Sequence, residues 1–71
     1  MSNEKFEDMA VLATFAQLRA GKLLNDADVQ ALQQELKSAW GKKVFHTLLQ
    51  GRSPAKDDRI LLQRFSTVFE A

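Results

Sequence analysis

The single proline and the three glycines of this chain fall at intervals that cut it into helix-length pieces, and no piece alternates apolar and polar residues. Gly and Pro are the strongest local punctuators of a chain, and here each sits where a helix starts or stops. A strand needs about four to eight alternating residues bounded by turn chemistry, and no Asn-Gly or Asp-Gly hairpin turn occurs. The pattern predicts an all-α fold: a compact bundle of three or four short helices.

Helix formers run from Asn3 to Ala20, with Gly21 as the left-handed residue that closes the first helix. Asn25 then reads as an N-cap. Asp26 and Asp28 complement the positive end of the helix dipole, and Leu24 is placed to staple against Val29. This second helix is expected to reach Ala39 or Trp40. Gly41 ends or kinks it, residues 42–50 form a short third helix, and Gly51 closes that one. Ser53-Pro54 marks the next start, with Ser as N-cap and Pro at the first helical position, where its missing N–H costs nothing. The fourth helix then extends to Phe69 or the C-terminus.

Seventy-one residues, 45% of them hydrophobic and 27% charged, give one helical domain expected to span 1–71. There is enough apolar surface to fold, but a core this small rarely supplies more than ~3–5 kcal/mol by itself. No cysteine is present, which excludes disulfides, thiolate metal sites and thiol catalysis. The acidic, polar start is not a signal peptide, and the uncharged run from Met9 to Leu18 is about half of what a bilayer needs. The expected location is therefore the cytoplasm, with no membrane contact.

Unrolled at about 100° per residue, helix two has one apolar stripe through Val29, Leu32 and Leu36. Helix four has one through Leu61, Leu62, Phe65, Val68 and Phe69. The expected core is Phe6, Val29, Leu32, Leu36, Phe45, Leu48, Leu61, Phe65 and Phe69. Helix one shows two stripes: Phe6, Met9, Ala13, Ala16 and Ala20 on one side, and Val11, Phe15 and Leu18 on the other. Two stripes imply burial from both directions, either by the other helices or by a second molecule. The second option predicts self-association through Val11, Phe15 and Leu18, with Arg19 at the rim, and dimerisation replaces the missing staple.

Charge divides along the chain. Residues 1–36 carry three cationic and six anionic side chains, a net −3, and residues 37–71 carry seven and three, a net +4. The basic set Lys42, Lys43, His46, Arg52, Lys56 and Arg59 is a candidate surface for nucleic acid or an acidic partner. No glycine is flanked as a helix-turn-helix reader requires, and a pI near 8.1 is too low to argue for DNA on its own. His46, the only histidine, has no metal-ligating companions and no positioned nucleophile. Trp40 is expected to seal the core where helices two and three meet. Phosphate-binding and metal motifs are absent, and the capped hairpin around residues 21–29 is too generic to assign a family.

These readings point to a small non-enzymatic regulatory or adaptor protein that binds another protein, itself as a homodimer, or both. The alternative is a nucleic-acid-binding regulator that uses the basic second half. No cofactor, metal or small-molecule substrate is expected.

Overall fold

The computed structural model describes residues 3–70. They hold four α-helices, α1 Glu4–Ala20, α2 Asp26–Glu35, α3 Ala39–Leu49 and α4 Lys56–Phe65, and a closing 3₁₀ turn, Thr67–Phe69. Among the described residues there is no strand. The all-α bundle expected from the punctuation is the fold.

α1 is the central element. It packs against α2, α3 and the 3₁₀ turn, and Met9, Leu12, Ala13 and Phe15 are its buried apolar residues. Its two sequence stripes are the two shoulders of one broad arc, with Leu12 and the fully buried Asp8 between them. α2, α3 and the 3₁₀ turn pack around it and enclose Phe15, the middle residue of the expected self-association stripe. Phe15 is only 1% exposed and meets Phe45 edge-on, ring centroids 4.9 Å apart. Val11 and Leu18 are half-buried against the same core. Phe15 therefore offers almost no area to a second copy, while Val11 and Leu18 keep part of their surface open.

Leu32, Leu36 and Phe45 are buried as expected, joined by Val44 and Leu62. Val29, Leu48, Leu61, Phe65 and Phe69 pack against them while partly exposed. Phe6 departs from the expectation. It is 60% exposed, because it stands at the edge of the α1 arc and touches only the rim of the core, edge-on to Phe65 at 5.3 Å.

Several boundaries also move. Gly21 is right-handed at φ −83°, and Lys22 takes the left-handed position at φ 58°. The Leu23 N–H donates to the Leu18 carbonyl and the Lys22 N–H to that of Arg19, the paired bonds of a Schellman close. Gly51, at φ 75°, closes α3 in the same way through Arg52 N–H to Thr47 and Gly51 N–H to Leu48. Asn25 caps α2 as its sequence implies, accepting from the Asp28 N–H at 2.9 Å. α2 stops at Glu35, four or five residues early, since Leu36 turns extended to bury its side chain.

α4 starts at Lys56 with Ala55 at the cap, not at Ser53-Pro54. Asp57 and Asp58 in its first turn face the dipole, and Asp58 accepts the Trp40 indole N–H at 2.9 Å. Trp40, half-buried against the core with the Lys5 ammonium 4.7 Å from its ring centre, seals the start of α3. Beyond Phe65, Ser66 is extended and its Oγ accepts from the Val68 N–H. This break returns Val68 and Phe69 toward α1, where a continued helix would carry them away. The Cα radius of gyration, 11.2 Å, matches the ~11 Å of a compact chain of this length.

Candidate functional site

Two polar features stand out against this frame, one structural and one open to solvent. The structural one begins with Ser38-Ala39-Trp40-Gly41. Ser38 is the N-cap of α3, and its Oγ accepts from the Gly41 N–H at 2.9 Å. A capping box would have Glu or Gln at the Gly41 position, reaching back to the cap N–H. Asp8 of α1 does that work instead. Its Oδ2 accepts from the Ser38 N–H at 2.8 Å and the Ser38 hydroxyl at 2.6 Å, and its Oδ1 from the Lys37 N–H at 2.9 Å.

Burial pushes the Asp8 carboxyl up, but the bonds from Ser38 and Lys37 outweigh it and hold the group below its ordinary value. A Cβ on Gly41 would lie 2.2 Å from Asp8 Oδ2, so glycine is the residue that lets the carboxylate in. At the surface beside it, Lys37 Nζ pairs with Glu7 at 2.7 Å, and the Glu7 carboxylate raises the Lys37 ammonium above its ordinary value. Every member of this cluster is satisfied, which marks it as a joint and not a reactive centre.

The open feature is a groove of about 720 Å³ where the C-terminal ends of α1 and α3 meet α4 and the 3₁₀ turn. Its apolar lining comes from Phe15, Leu48, Leu62, Val68 and Phe69, with Ala16, Ala20 and Pro54 at the sides. Arg19, Arg52 and Arg59 border it, with Glu70 the one carboxylate among the lining residues. Arg19 is held in place: its Nη1 donates to the Leu48 carbonyl, and its guanidinium carbon lies 5.8 Å from the Phe15 ring centre. A cation at the end of α3 also complements the helix dipole.

The structure divides the basic set read from the sequence. Arg52 and Arg59 join Arg19 at the groove. Lys42 and His46 line a smaller depression of about 320 Å³ with Gln33, Phe45 and Leu49. Lys43 and Lys56 are exposed and border neither. Arg19 is exposed and lines the groove with Arg52 and Arg59, which Val11 and Leu18 do not line. Comparison with protein-family models, curated proteins and solved structures returns no significant match. The site therefore stands on its own geometry.

Sequence reading missed the groove-lining Gln63, which lies on the polar side of α4, and Val68 and Glu70, whose placement depends on the break at Ser66. Ala16 and Ala20 carried a readable signal as small residues on one face of α1, but they border an open groove where close helix packing was the natural inference. Among the described residues no group of three or more His, Cys, Asp or Glu is placed to hold a metal ion, and no helix is long and apolar enough to cross a membrane.

Proposed function

We propose that this chain is a small, cytoplasmic, non-enzymatic regulatory or adaptor protein that acts by binding another protein, and that the groove between α1, α3 and α4 is its binding surface. One observation carries the reading: a cleft with an apolar lining and a rim of arginines. Clefts of roughly 300–1,000 Å³ with apolar walls and a few placed polar groups are where proteins seat ligands and partner side chains. Arginine is among the residues enriched at the energetic centres of protein interfaces. A nucleic-acid surface would gather the lysines and arginines together, whereas here Arg52 and Arg59 line the groove and Lys42 lines a different depression.

The test is site-specific cross-linking in the native host, with a small diazirine-bearing aliphatic amino acid of about glutamine's size at Gln63 in the groove or at Lys43 away from it. The expected result is a discrete protein cross-linked from position 63 and not from position 43. A parallel titration with duplex DNA and RNA at two salt concentrations addresses the basic second half. Binding with a steep salt dependence, reflecting counterion release, together with no cross-linked protein at position 63, would replace the adaptor reading with the nucleic-acid one.

A further inference from the structure

We infer that the groove takes an acidic amphipathic segment of a partner protein, seating a large apolar side chain against Leu48, Val68 and Phe69 and setting carboxylates against Arg52 and Arg59. This rests on the adaptor reading and adds the chemistry of the occupant. The charge around the groove is unbalanced: three guanidinium groups face one carboxylate, Glu70. The Lys37–Glu7 salt bridge lies on another part of the surface and does nothing to offset this.

The kind of cation is selective as well as the sign. Three of the chain's four arginines border the groove and none of its six lysines does. A guanidinium offers a planar fork that matches a carboxylate in two parallel hydrogen bonds, whereas an ammonium is a strongly hydrated point charge. Arg19 is fixed beforehand by the Leu48 carbonyl and the Phe15 ring, so little of its freedom remains to be lost on binding. Between these charges lie Leu48, Val68 and Phe69, half-buried with apolar surface still open. An occupant that is only acidic leaves that surface wet, and one that is only apolar leaves the arginines unmatched. A segment with both properties, such as an amphipathic helix with an apolar anchor and flanking Asp or Glu, satisfies the site.

The experiment is selection of peptides from a random displayed library against the intact protein at low ionic strength. The selected peptides are then synthesised and their contacts mapped by amide chemical shifts. Enrichment of Asp and Glu around a large apolar residue is expected, with shifts concentrated at the groove. Arg52→Ala with Arg59→Ala should weaken binding by roughly tenfold or more, and added salt should weaken it further. Gln63→Trp, which fills the groove, should abolish binding while circular dichroism shows the helices intact.

Neutral or basic selected peptides, undiminished binding to the double arginine variant, shifts centred on Lys42 and His46, or no enrichment at all would each overturn the inference. So would a short RNA that displaces the peptide with higher affinity. Failure here leaves the adaptor reading standing if a host protein still cross-links from position 63. Acidic peptides at the groove with no cross-linked host protein would count against the adaptor reading alone.

Discussion

Asp8 and Gly41 form the most demanding contact in the molecule, and each makes a separate prediction. Gly41 sits in the first turn of α3, where Ala is intrinsically the better helix former by ~1 kcal/mol. Gly41→Ala should nonetheless destabilise by about 2–4 kcal/mol, because its Cβ displaces the carboxylate and strands the Ser38 and Lys37 donors. Urea denaturation of both proteins checks the sign. Asp8 predicts a pH dependence. Its folded-state pKa is depressed below the ordinary 3.8, so the unfolded chain binds the proton more readily. The stabilisation is complete above about pH 5, declines as the pH falls through the ordinary value, and is gone below the folded one. Asp8→Asn should therefore be less stable than the wild type at neutral pH, with the gap narrowing toward pH 2. A gap independent of pH would mean that the carboxylate's charge contributes nothing.

The two Schellman closes offer a comparison at the level of the helix. α1 ends with a lysine in the left-handed conformation and α3 with a glycine in the same role. A side chain there costs ~1 kcal/mol or more, through its Cβ and the following carbonyl. Lys22→Gly should accordingly stabilise the protein, net of the greater freedom glycine gives the unfolded chain, by about 0.5 kcal/mol. Gly51→Ala should cost about 1 kcal/mol, and the cost is purely conformational, since the nearest atom to its Cβ is Arg19 Nη2 at an ordinary 3.7 Å. Thermal unfolding should show shifts of opposite sign, each of a few degrees in a domain of this size.

For the molecule as a whole, the position of α1 decides how substitutions at its centre behave. α2, α3 and the 3₁₀ turn all lean on it, so a change there loosens several interfaces together. Phe15→Glu places a carboxylate without a partner in the middle of the core, a cost of several kcal/mol that exceeds what a small domain can absorb. Circular dichroism should report loss of helix. A variant that stays helical while light scattering records a smaller particle would return Phe15 to an interface. Leu23→Ser is the contrasting case: Leu23 is 69% exposed, and its replacement should change stability by no more than about 0.5 kcal/mol.

Helix class, the span of α1, the Asn25 cap and the stop at Gly51 were legible in the sequence. Periodicity, capping and left-handed glycine are local properties that act within a few residues. The end of α2, the start of α3 and the buried side of α1 were not. Asp8 reads locally as a surface charge on an acidic first helix, and its three hydrogen bonds reach residues 29 and 30 positions away. Only once the helices pack does that carboxylate capture the N–H groups of Lys37 and Ser38, and α3 then starts where it does. The same holds for the groove. Arg19, Arg52 and Arg59 are far apart along the chain, and the turn at Ser66 supplies the wall of Val68 and Phe69 that makes their neighbourhood a site. Local sequence chose the helices; long-range hydrogen bonds and burial chose where they break and what they leave open.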